Sequence, residues 1–198
     1  MKKTLLRLSA PIMAFTLLLA ACQKEAITPT PSSPTVPGTP VAPLPEHLTL
    51  GNPSGATADV AQPTNYLLLK PQYALSYHRD RGTPNWVSWH LSTDWRGSAA
   101  RQDDFRPDAT LPAGWYQVQA NSYTGSGFDR GHNCPSADRT KTVADNSATF
   151  LMTNMMPQAP RNNQQTWANL EEYSRAFLSG DNEEIGRASC RERVCSTV

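Results

Sequence analysis

Residues 26–46, AITPTPSSPTVPGTPVAPLPE, set the first limit on what this chain can fold into. They hold seven of its 17 prolines and a single charge, Glu46. Each proline fixes φ and removes a backbone donor, and a stretch with so few large apolar side chains cannot bury a core. An extended tether is the expected outcome. Residues 23–46 are therefore read as a linker, and the globular part is expected to start near His47.

The first 22 residues, MKKTLLRLSAPIMAFTLLLAAC, are basic at the start, apolar in the middle and small at the end. That is the pattern of an export signal, and it is too short to read as a membrane span. Leu19-Ala20-Ala21-Cys22 resembles the lipobox of bacterial lipoproteins. The resemblance implies lipidation of Cys22 and a domain held at a membrane, with Gln23 in place of an aspartate favouring the outer membrane. The expected location is the bacterial cell envelope: outer membrane, periplasm or cell surface. Export also implies an oxidising compartment.

At the other end, Glu184 to Val194 (EIGRASCRERV) can be written in codons as a string that resembles a sequencing-library adapter. Residues 184–198 are read accordingly as a tail foreign to the domain. Cys190 and Cys195 then drop out of any disulfide framework, leaving Cys22 and Cys134. On this reading residues 47–183 are the N-terminal portion of one domain, with the rest missing.

Inside that portion several short segments alternate like strands: Tyr66–Lys70, Tyr73–Tyr77, Trp86–Leu91, Trp115–Val118 and Thr149–Thr153. Gly82, Pro84, Pro107, Pro112 and Gly114 punctuate them. Trp86–Leu91 is the clearest, with Val87, Trp89 and Leu91 on one face and Trp86, Ser88 and His90 on the other. A helix is expected from Gln165, placing Trp167, Leu170, Tyr173, Phe177 and Leu178 on an apolar face and stopping at Gly180. If that helix reaches back to Asn163, then Asn163, Glu171 and Arg175 fall within about a third of its circumference. Two readings of these three stay open: a solvated flank with an i,i+4 ion pair, or polar groups aimed inward because they bind something.

Phe128 to Ser136, FDRGHNCPS, gathers an acid, a guanidinium, an imidazole and a thiol. His132 suits proton transfer and Cys134 suits nucleophilic attack. The thiol has the weaker claim, since no second histidine stands where it would orient one; His78 and His90 lie in strand-like segments and read as structural or exposed.

DRGH at 129–132, TNMMPQAP at 153–160 and NNQQTWANLEEY at 162–173 together resemble the DNA/RNA non-specific endonuclease family, the Serratia-nuclease-like branch of ββα-metal nucleases. The resemblance implies an α+β fold with a ββα-metal (His-Me finger) core and a mixed or antiparallel sheet. Carried over by position, it implies His132 as general base and Asn163 as the one protein ligand of Mg2+, with Mn2+ as the alternative. Glu171 would hold water at the metal. Arg101, Arg130 and Arg175 would face phosphate, while Asn154 and Asp129 would shape the site. Arg106, close to Arg101 in the same loop, is the competing candidate for its place.

That chemistry is coherent in the residues themselves. Phosphodiester hydrolysis needs a base for the attacking water and positive charge for the developing phosphate charge. Histidine is a base without a carboxylate's repulsion toward phosphate, magnesium prefers oxygen ligands, and arginine meets phosphate bidentately. The formal charge is only +1, so any grip on DNA or RNA must come from local arginines. The competing class is non-catalytic, a truncated surface lipoprotein that binds nucleic acid or scaffolds.

Overall fold

The computed structural model describes residues 45–178 and, for backbone alone, 184–189. Cys22, nearly all of the 23–46 linker, Gly180, Cys190 and Cys195 lie outside the described residues. The first described element is a 3-10 turn, Glu46–Leu48, in which His47 and Leu48 are already buried. No helix among the described residues is long and apolar enough to cross a membrane.

β1 (Tyr66–Leu69), β2 (Ala74–His78) and β3 (Thr83–Leu91) form an antiparallel meander. The alternation expected of β3 holds: Val87, Trp89 and Leu91 join Leu68, Tyr73, Leu75 and Tyr77 in the main core. Its opposite face is covered as well, with Trp86 packing on Leu48, Ala56 and Ala74. Pro84 sits inside β3, which a regular ladder would not tolerate. It is accommodated because the β2–β3 register slips between Ser76 and Tyr77, and Asn85 there donates to Thr64 O and Ser76 Oγ.

β4 (Asp129–His132) and β5 (Met155–Gln158) make a second, two-stranded antiparallel sheet. Between them lie a 3-10 turn, Ser136–Asp138, and α1 (Val143–Ala148), whose N-cap Thr142 accepts from Asp145 N. After β5 comes a π-helical turn, Asn162–Trp167, running into α2 (Ala168–Ala176). The sequence β4–β5–helix is the ββα unit of an α+β fold.

Three expectations are corrected. Trp115–Val118 forms no strand among the described residues, and Val118 instead packs on Met152 and Met155. Thr149–Thr153 is not a strand: Thr149 and Phe150 turn out of α1, where Thr149 Oγ1 donates to Asn146 O, Leu151 makes a lone bridge to Arg106, and a 3-10 turn, Met152–Asn154, leads into the ladder at Met155. Helical backbone starts at residue 160, ahead of Gln165, so Asn163 does belong to it. The expected apolar face also divides. Trp167 and Leu178 pack against the core, whereas Leu170, Tyr173 and Phe177 are 50%, 63% and 45% exposed.

The last strand, β6 (Glu184–Ser189), lies antiparallel on the open edge of β3. Such pairing uses backbone N–H and C=O groups, so it does not require the side-chain periodicity that this segment lacks.

Candidate active site

The two-residue period of β4 puts Arg130 and His132 on one face, and Phe105 touches both. The Arg130 guanidinium carbon lies 3.7 Å from the Phe105 ring centroid, and the His132 ring stands edge-on at 5.7 Å. Phe150 meets His132 from another side at 4.8 Å. On the other face the Gln158 side chain fills the space beside Gly131, where a Cβ would fall 2.3 Å from Gln158 Cδ and displace it.

His132 is 8% exposed, and among the described residues its Nε2 finds no hydrogen-bond partner. Burial first, then the nearby positive charge of Arg101, pulls its pKa down to about 3; Asp103 opposes this, and Arg130 adds to it. The ring is consequently neutral at neutral pH, the state in which imidazole can accept a proton.

Asn163 comes from the π-helical turn. Its Nδ2 donates to Asp129 Oδ2 at 3.0 Å, and Gln164 Nε2 donates to the same oxygen at 2.9 Å. Asp129 thereby fixes the amide by its NH2 group and leaves the hard carbonyl oxygen, Oδ1, for an oxygen-seeking cation. That donor suits magnesium. Among the described residues no three His, Cys, Asp or Glu side chains converge as metal ligands, so a cation here would complete its shell with substrate and water.

Arg101, Asp129, Arg130 and Asn163 share the wall of one cleft of about 770 Å³. Arg101 is pinned by Asp103 Oδ1 at 2.7 Å and by Ser136 Oγ at 2.8 Å. Asp103 adopts φ 52°, the left-handed region that aspartate enters more readily than most residues. Arg106 points elsewhere, bonded to Asp104 and to Ser147 O, so the geometry favours Arg101 over Arg106. Arg130 Nη1 donates to Ala120 O, fastening the loop that forms the opposite wall. From that loop Tyr123 and the 46% exposed Phe128 line the cleft.

Glu171 and Arg175 lie on the inward face of α2 and outside the cleft lining. Arg175 bonds to Asp138 Oδ1 at 3.0 Å and stands 3.9 Å from Glu171. The expected i,i+4 pair is thus the looser of its two ion pairs. Asp138, almost fully buried, also accepts from Trp89 Nε1. Burial first, then the Asp138 charge, push the Glu171 pKa up to about 7, with Arg175 and Arg101 opposing. Asp138 itself is raised because burial outweighs its bonds to Arg175 and Trp89.

Asn154 is wholly buried and away from the cleft. Its side chain accepts from Cys134 N and donates to Cys134 O and Thr149 O, so it locks the loop that follows His132. Cys134 is fully buried and burial raises its pKa to about 12; it is a packed thiol with no nucleophilic capacity at neutral pH. Asp138, Phe105, Phe128 and Gln164 escaped the sequence reading. Asp138 stands in the ordinary-looking string SADR, and nothing local separates it from a surface acid.

The family model for DNA/RNA non-specific endonucleases matches residues 52–186. A nuclease of Nostoc sp. is 64% identical over 133 residues, 67% of this chain and 48% of that protein. Human mitochondrial endonuclease G is 38% identical over 111 residues, 54% of this chain and 37% of that one. The chain spans less than half the length of either. The crystal structure of an EndoG/EndoGI complex shares the fold with a TM-score of 0.61 at 23% identity, over 75% of this chain and 58% of that chain.

Proposed function

Since the chain belongs to the DNA/RNA non-specific endonuclease family, we propose that it carries the catalytic cleft of a metal-dependent endonuclease cutting DNA and RNA with little sequence preference. The observation that carries this reading is the cleft where Arg101, Arg130 and Asn163 meet, with the neutral His132 beside Arg130 on the same strand face.

In this mechanism Arg101 and Arg130 hold phosphate oxygens through their free N–H groups. His132, with one ring nitrogen unprotonated, takes the proton of the attacking water. Asp129 keeps Asn163 oriented, and a magnesium ion at its Oδ1 would polarise the phosphate and offset its developing charge. Glu171, which changes charge near neutrality, orders water at that side of the site. Arg175 positions Glu171 and Asp138, and Asn154 positions the segment after His132. Contacts restricted to phosphate carry no base identity, which is why weak sequence preference is expected.

The same proposal places the domain at the cell envelope through a lipid on Cys22. Cys22→Ala should move the protein from the detergent phase to the aqueous phase in Triton X-114 partition of expressing cells.

The decisive assay is incubation of the chain with plasmid and with single-stranded RNA, in Mg2+, in Mn2+, in EDTA and after thiol alkylation. Cleavage of both polymers should need a divalent cation and survive alkylation. His132→Ala should lower kcat by about 10²–10⁴-fold. Cleavage that persists in EDTA or stops on alkylation would sink the reading. Binding without any cleavage would favour the non-catalytic class.

A further inference from the structure

A second cavity, of about 550 Å³, is lined by Arg79, Asp80, Arg81, Trp115, Tyr116 and Val118, two arginines against one aspartate. It adjoins the cleft along the chain: Val118 lines one and Ala120 the other. Two residues span at most about 7 Å, so the two cavities share the short segment 118–120 as a common border.

The chemistry of this cavity is basic and aromatic. Tyr116 is 64% exposed, a ring with an open face. Trp115 is held edge-on by Tyr66 at 5.0 Å, and the Arg79 guanidinium sits 5.8 Å from its centroid. Arg79 is paired with Asp80 at 2.7 Å, but both side chains are about half exposed, and an exposed pair of that kind yields readily to a phosphate. The floor is closed by a tight approach, since a Cβ on Gly82 would lie 2.8 Å from Val118 Cγ2. Arginines that track a backbone beside an open aromatic face are the components of sequence-tolerant binding to unpaired nucleotides.

We propose that this cavity is an exosite for the single-stranded stretch of nucleic acid leaving the cleft, with a base stacked on Tyr116 and phosphates met by Arg79 and Arg81. The inference rests on the nuclease reading and extends it from the cleavage point to the flanking strand.

The test is length dependence of binding in EDTA, which reads affinity without cleavage. Fluorescein-labelled single-stranded oligonucleotides of about 4 and about 16 nucleotides span the range of small single-strand sites. With the wild-type chain, Tyr116→Ala and Arg81→Ala, fluorescence anisotropy gives Kd for each. Tyr116→Ala should weaken the longer oligonucleotide roughly 5- to 100-fold, the value of one stacked base, and leave the shorter one within about twofold; Tyr116→Trp should restore binding. Arg81→Ala should weaken the longer one and flatten its salt dependence. Equal losses at both lengths, or none at the longer, overturn the exosite alone. A wild-type chain that binds neither oligonucleotide overturns the nuclease reading and the exosite with it.

Discussion

His132 shows how one side chain's surroundings set both its chemistry and its effect on stability. In the unfolded chain its ring titrates near 6.5, and in the fold near 3. Between those values the unfolded chain binds the proton and the folded one does not, so stability holds above about pH 6.5 and declines as pH falls toward 3. Replacing the imidazole by a neutral amide removes that contribution. Unfolding midpoints at pH 7.5 and pH 5 should therefore fall less for His132→Gln than for wild type; equal falls would mean that other groups set the acid sensitivity. The string DRGH made this residue legible in the sequence. Its depressed pKa was not legible, because Phe105, Phe150 and Arg101, which bury and charge its surroundings, come from distant parts of the chain. The same holds for Cys134, where only the fold decides between a nucleophile and a packing thiol.

At the level of elements, legibility followed side-chain periodicity. β3 was readable because Val87, Trp89 and Leu91 alternate with Trp86 and Ser88 and both faces are covered. Met155–Gln158 was missed because β5 contains Pro157 and, among the described residues, pairs with β4 alone. The helix start was misplaced because Asn162, Asn163, Gln164 and Gln165 carry no apolar repeat: Asn163 and Gln164 serve Asp129 and the cleft rather than the core. Their wide turn holds one residue more than an α-helix would, a device common at functional sites. Deleting Gln165 should let the turn close into regular α-helix, rotating Asn163 by about 100° relative to Glu171. Helix content by circular dichroism should stay level or rise while kcat/KM drops by at least about 10²-fold. Retained activity in the deletion variant would show that the π turn does not position the amide.

For the molecule as a whole, a net charge of +1 leaves binding to a polyanion in the hands of a few arginines. On the proposed reading, Arg101 and Arg130 at the cleft with Arg79 and Arg81 at the second cavity would neutralise two to four phosphates. The plot of log K against log salt for single strands should have a slope of about −1.5 to −3. A slope steeper than about −5, measured by anisotropy between about 50 and 200 mM salt, would point to cations elsewhere. The distribution of the site along the chain has another outcome. Asp129, Arg130, His132, Asn154, Asn163, Glu171 and Arg175 fall in one uninterrupted run, and only Arg101 comes from outside it. On the proposed reading, a recombination breakpoint upstream of residue 101 would keep these proposed site residues together. A breakpoint between residues 133 and 162 would separate His132 from Asn163, the proposed base from the proposed metal ligand.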